Sequence, residues 1–279
     1  MKTVDFFGTQ VSRLILGDNP VNGYSYIEQI TPGEMMLDYY TAENAVRLLR
    51  RAQELGVNAY LGLANDFVMR VWRQFVNEGG RMNLLFQSYA AVELADNLRQ
   101  MCRWSPKGIY HQGGTLDDMV ECGEIRKVKD RIRMIKDSGV PAGLGTHVPE
   151  VVIRAEEENW GADFYVTCLY NARNTQRKNQ KSYIPGEYND LKFYPDDKWK
   201  MLEVVRQVPK TCLVFKLLAG GQVFYGHAPE EFEAIAEREF RDAYGNMKPD
   251  DIGVVGVFQR DADQLAQNVR LVNRILDGK

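Results

Sequence analysis

The chain has 279 residues, 44% hydrophobic and 26% charged, a balance that excludes a disordered or fibrous protein and allows one large core. Lys and Arg number 35 against 38 Asp and Glu, a formal charge of -3, so neither nucleic acid nor an anionic membrane surface is an expected partner. The opening MKTVDFFGTQ lacks the apolar run of a signal peptide, no stretch approaches a membrane span, and the four widely spaced cysteines form no CxxC pair, so a reducing cytoplasm is the expected location.

From residue 13 onward, short apolar runs alternate with segments of helical period. A strand at Arg13–Leu16 and a helix at Thr41–Leu55 come first. Asn58–Leu63 pairs with Phe67–Asn77, Asn83–Ser88 with Val92–Arg103, and Gly108–His111 with Gly123–Ser138. Ala142–Thr146 and Pro149–Asn159, Phe164–Leu169 and Asp196–Gln207, Leu213–Leu217 and Pro229–Tyr244, then Gly253–Val257 and Asp261–Leu276 complete the series. Thr41 and Asp261 are the expected N-caps, and Gly56 and Gly139 the expected C-terminal stops.

Strict alternation of strands and helices predicts an α/β fold, a parallel sheet closed into a (β/α)8 TIM barrel, with residues 1–279 as a single domain. An open doubly wound sheet is the alternative, yet Leu16-Gly17-Asp18-Asn19-Pro20 is not the glycine-rich turn such a sheet carries after its first strand. Sites in closed barrels sit where strands end and loops begin. Two of those loops are long: 17–40, and 172–194 with Arg173, Arg177, Lys178, Lys181 and Lys192, which is either an anion clamp or a solvated excursion.

Three strand-end side chains are candidate catalysts. His111 ends the fourth strand and His147 follows the fifth, close enough in the expected order for an acid/base pair or two metal ligands, with Asp18 as carboxylate partner. Lys216 puts an ammonium inside the apolar run Val214-Phe215-Lys216-Leu217-Leu218, where it would bind an anion, pair with a carboxylate or, with its pKa lowered by desolvation, form a Schiff base. Asp18, Asn19, Cys168, Tyr170 and Asn171 are the expected substrate contacts. Gly113-Gly114 and Gly220-Gly221 would let backbone approach a ligand.

The order of elements resembles the aldo-keto reductase superfamily over almost the whole chain. The resemblance is carried by Phe7-Gly8-Thr9-Gln10-Val11-Ser12-Arg13-Leu14-Ile15-Leu16-Gly17 at the opening hairpin and first strand, and by Glu54-Leu55-Gly56-Val57-Asn58 before the second. Gly123-Glu124-Ile125-Arg126, Leu169-Tyr170-Asn171 and Leu217-Leu218-Ala219-Gly220-Gly221 match later parts of it. The family implies a TIM barrel with an N-terminal β-hairpin, a catalytic Asp, Tyr, Lys and His, and bound NADP.

Here Leu61 stands at the Asp position, Asn65 or Asp66 near the Tyr, and Phe86-Gln87-Ser88-Tyr89 offers no Lys, so only the His survives, as His111. At the NADP end only Arg260 is an evident phosphate partner, and the binding motif is degraded. The chain thus resembles a divergent branch.

The first functional expectation is an enzyme acting on a carbonyl-containing polar metabolite, such as a sugar or keto-sugar, as a lyase, aldolase or isomerase through His111, His147 and Lys216. The others are an NAD(P)-dependent oxidoreductase with a non-standard proton relay, a metal-assisted enzyme using His111, His147 and Asp18, and a non-catalytic binding barrel.

Overall fold

The computed structural model describes residues 1–278 apart from 175, 178, 179 and 186–190, so Lys178 of the basic loop lies outside the described residues. The chain opens with an antiparallel hairpin, β1 (Thr3–Phe6) and β2 (Thr9–Ser12). Eight parallel strands follow: β3 (Leu14–Gly17), β4 (Ala59–Leu63), β5 (Asn83–Gln87), β6 (Gly108–His111), β7 (Ala142–Thr146), β8 (Phe164–Cys168), β9 (Cys212–Phe215) and β10 (Ile252–Val255). They close in the order β10-β3-β4-β5-β6-β7-β8-β9, the TIM barrel the alternation predicts.

Helices lie outside the strands: α1 (Gly33–Tyr39), α2 (Ala42–Glu54), α3 (Asp66–Asn77), α4 (Leu94–Cys102), α5 (Gly113–Glu121), α6 (Ile125–Asp137), α7 (Pro149–Glu157), α8 (Asp197–Gln207), α9 (Phe232–Asn246) and α10 (Gln264–Leu276). Thr41 caps α2 by accepting from the Asn44 N–H at 3.2 Å. The cap of α10 is Asp263, which accepts from the Ala266 N–H at 3.1 Å, and not Asp261, whose carboxylate is taken by Arg260. Two helices escape the period-based reading: α1 within the first long loop, and α5, which begins at Gly113 itself.

The pleat sorts side chains between two cores. Ile15, Leu61, Leu85, Phe164, Val166, Leu213 and Val254 point into the lumen, while the alternate residues pack against the helices. The hairpin plugs the floor, with Phe6 and Val11 buried in the luminal cluster and the Phe6 ring edge-on to Phe164 at 5.1 Å. The inward positions of β7 are glycines for steric reasons: a Cβ at Gly145 would sit 2.8 Å from the Tyr110 ring. Space is thereby kept for Tyr110 near the top of the lumen. Among the described residues no helix is long and apolar enough to cross a membrane, and all four cysteines are free.

Candidate active site

A cavity of about 400 Å³ opens above the strand ends. Its inner part is lined by Asp18, Leu61, Gln87, Tyr110, Lys216 and Val254, and an outer arm runs between the β10 end and the faces of α9 and α10.

Asp18 follows β3 and is buried. Its Oδ2 accepts from the Leu63 N–H at 2.6 Å and from Asn22 at 2.9 Å. Removal from water disfavours the anion more than these two bonds favour it, and the carboxyl is pushed up to about 6. Beside it, Tyr110 pairs across strands with Gln87 and donates its hydroxyl proton to the Gln87 amide oxygen. Burial, and then the neighbouring Asp18 charge, hold the Tyr110 phenol protonated.

Lys216 comes immediately after β9, with a φ of 61°. The left-handed region costs a side-chain-bearing residue about 1–2 kcal/mol, strain of a kind that gathers at functional sites. Turns closed by Ala219 N–H to Lys216 O at 2.8 Å and Gly221 N–H to Leu218 O at 2.8 Å then carry the chain across the mouth.

The ammonium sits in an aromatic box, 4.4 Å from the centroid of Tyr26, 5.0 Å from Phe193 and 5.4 Å from Phe215. Its polar neighbours are the Cys168 thiol and the Tyr26 hydroxyl, and among the described residues no carboxylate pairs with it. Burial opposes the charge, but the Cys168 and Tyr26 groups outweigh burial and hold the Lys216 pKa above its ordinary value. The three ring faces act in the same direction. The direction is opposite to the lowered pKa expected for a Schiff-base lysine.

The first long loop supplies Asn19, which lines the cavity and donates to the Tyr26 hydroxyl at 2.9 Å. Gly220 makes the approach of Tyr26 possible, since a Cβ there would lie 2.6 Å from its ring and the residue has a φ of 59°. Gln222, just beyond, is fully buried and holds three chain segments together. Its Nε2 donates to Tyr26 O at 2.9 Å and Leu191 O at 2.8 Å, and its Oε1 accepts from the Phe193 N–H at 2.9 Å.

The two histidines part company. His147 reaches the rim edge-on to Phe215 at 5.7 Å, and its Nδ1 faces Asp117 Oδ2 at 2.8 Å. Asp117 also accepts from Thr146 Oγ1 at 2.5 Å and from the His147 N–H at 3.0 Å, which fixes the ring with Nδ1 as donor and Nε2 as acceptor. Burial, opposed by the Asp117 bond and reinforced by the Lys216 charge, lowers its pKa.

His111 lies on the outward side of β6, opposite in pleat to Tyr110, with Nδ1 3.2 Å from Gln112 O. Burial, then the Arg131 charge, pushes it down to about 4, so it is neutral and belongs to the helix-facing layer. It lines no part of the cavity on which Lys216 and Asp18 open. His147 itself stands beside the cavity without lining it. Among the described residues no group of three or more His, Cys, Asp or Glu could hold a metal, so Asp18, His111 and His147 form no metal set.

Other expected contacts have structural employment. Tyr170 stacks on Phe193 at 5.0 Å in the core, and the Asn171 side chain accepts from the Arg173 and Asn174 N–H groups, capping its own loop. Arg173 pairs with Asp118 at 2.5 Å and Arg177 with the buried Asp197 at 2.6 Å, so neither offers a free anion clamp.

Arg260 is exposed and bonded to its neighbour Asp261 at 2.8 Å. The N-terminus of α10 is occupied by Asp263 and by Gln259 Oε1, which accepts from the Leu265 N–H at 3.1 Å. With these donors consumed and Lys216 the one cation among the cavity's described lining residues, the described part of the outer arm does not fit the adenosine phosphate of NADP.

Sequence reasoning missed Tyr26, Gln87, Tyr110, Asp117 and Asn268. Strand parity could have found Tyr110, because it precedes His111 and so must face the other way. Tyr26 and Asn268 carry no local signal.

No family model matches the sequence, and no curated protein matches it. Among solved structures, a truncated 3-deoxy-D-arabino-heptulosonate 7-phosphate synthase from Thermotoga maritima is similar at a TM-score of 0.60 and 13% identity, over 99% of this chain and 93% of that one. A protein named Gox0644, solved in its apo form, is similar at 0.57 and 9% identity, over 98% and 93%. These likenesses establish the barrel and leave the aldo-keto reductase resemblance as one of fold.

Proposed function

We infer that the protein is an enzyme of carbonyl chemistry, an isomerase or aldolase-type lyase acting on a small polyhydroxy carbonyl compound. The observation that carries this reading is Lys216: a strained, buried ammonium, without a carboxylate partner among the described residues, that opens on the same cavity as a carboxyl near pH 6. A substrate carbonyl oxygen accepts a hydrogen bond from this ammonium. As a proton leaves the adjacent carbon the oxygen becomes an enolate, and a fixed ammonium stabilises that developing charge more than the ground-state carbonyl.

Asp18, ionised above pH 6, receives the proton on its carboxylate. Returning it to the neighbouring carbon, while the hydroxyl proton of the enediolate passes to the former carbonyl oxygen held by Lys216, interconverts ketose and aldose. Taking it from a β-hydroxyl instead breaks the adjacent carbon–carbon bond, releases an aldehyde and leaves an enolate on Lys216, to whose carbon Asp18 then returns the proton. The Tyr26 segment and the segment tied by Gln222 cover the site and limit access of water.

The test is hydrogen–deuterium exchange in D2O, followed by NMR at the carbon beside the carbonyl of unphosphorylated ketoses. Exchange is expected with the native chain and about 10³-fold less with Lys216→Met and with Asp18→Asn. Undiminished exchange in Lys216→Met, or no exchange by the native chain, contradicts the reading.

A further inference from the structure

We propose that the outer arm of the cavity is a subsite for an uncharged sugar ring, so that the substrate is a glycosylated, unphosphorylated carbonyl sugar. The proposal rests on the carbonyl reading of Lys216 and Asp18 and goes beyond it in naming what the rest of the substrate is.

Asn268 provides the first observation. It lies on the cavity side of α10, only 6% exposed, and its amide makes no hydrogen bond to any described residue. Its amide atoms are open to the cavity, where a ligand's hydroxyl replaces the water that bonds them. An amide both donates and accepts, which matches a hydroxyl better than it matches a phosphate or an ammonium. Gln267, one residue earlier, presents a second amide to the same arm.

The walls are aromatic. Phe224 and Phe232 pack at 4.9 Å with a 46° tilt, and both line the arm together with Phe258. Flat apolar faces beside amides suit a pyranose, whose ring carries C–H groups on its faces and hydroxyls at its edge.

Charge excludes the competing extensions. Lys216 at the inner end is the one cation among the described lining residues, whereas Asp18 and Glu233 are carboxylates. Arg270 is held by Glu233 at 2.6 Å. A phosphate monoester would bring nearly two negative charges to a wall without a partner for them.

Three probes share one ketose: D-fructose, isomaltulose, which adds a glucosyl ring on the terminal hydroxyl, and fructose 6-phosphate, which adds a phosphate there. Calorimetric titration of the full chain is expected to give isomaltulose about tenfold tighter than fructose, and fructose 6-phosphate weaker than fructose. Asn268→Leu, which keeps the volume, and the exposed Gln267→Ala are each expected to lower the isomaltulose-to-fructose affinity ratio several-fold.

Tighter binding of fructose 6-phosphate overturns the proposal, as does an unchanged ratio in both variants, binding of none of the probes at millimolar concentration, or displacement of isomaltulose by NADPH. Exchange from fructose reads the inner pair alone. A chain that exchanges fructose but does not prefer isomaltulose loses the outer subsite and keeps the enolising pair; one that holds isomaltulose through Asn268 without exchange does the reverse.

Discussion

A carboxyl with a pKa of about 6 in place of 3.8 is a cost to folding whenever it is ionised. Between those two values the native state holds the proton and the unfolded chain does not, so stability falls as pH rises through this window and the full penalty, about 3 kcal/mol, applies above it. Asp18→Asn keeps an acceptor for the Leu63 N–H and removes the charge. It should raise the melting temperature at pH 7.5 while abolishing exchange, a trade of stability for function that calorimetry and NMR together would reveal; a variant less stable at that pH would contradict the placement. His111 has the opposite sign. Its folded pKa of about 4 lies below the ordinary 6.5, so its contribution is complete above 6.5 and is lost as pH falls toward 4. His111→Gln should keep exchange within about threefold and lessen acid destabilisation in that window. A large loss of exchange in this variant with the fold intact would return His111 to the site.

At the scale of elements, the segment after β9 decides the geometry of the mouth. Replacing Gln222 by Leu would leave Tyr26 O, Leu191 O and the Phe193 N–H unpaired, at about 1–3 kcal/mol for each that stays buried. The expected result is a lowered melting temperature and faster proteolytic cleavage around residues 20–30 and 180–195; unchanged cleavage would mean these segments hold without the staple. This segment also marks the limit of what the sequence discloses. Apolar runs and helical periods locate all eight barrel strands to within about two residues, because burial on both faces leaves an uninterrupted signal. The run 213–217 reads as one strand, yet the strand stops at Phe215 and Lys216 turns left-handed. Nothing in its composition foretells that turn. The same holds for α5, where Gly113-Gly114 reads as a ligand loop and is a helix start.

For the whole molecule, closure of the barrel places residues far apart in sequence, Asp18 and Lys216, in one cavity, and that pairing was accessible once eight strand–helix units were recognised. That neither His111 nor His147 lines this cavity was not, since it depends on pleat parity at strand ends. The floor is closed by the hairpin, and Phe6→Ala should cost about 3–5 kcal/mol by opening a void beneath the luminal layer. The melting temperature should fall accordingly, and a change of less than about 1 kcal/mol would mean the hairpin does not seal the floor. The central claim is that Asp18 moves the proton while the Lys216 ammonium holds the oxygen. The pH dependence of deuterium exchange into a ketose tests it most directly. The account predicts a rate that rises with pH, levels above an inflection near 6, and keeps that inflection in His147→Gln. An inflection that vanishes with His147, or a rate that falls as pH rises through 6, would contradict it.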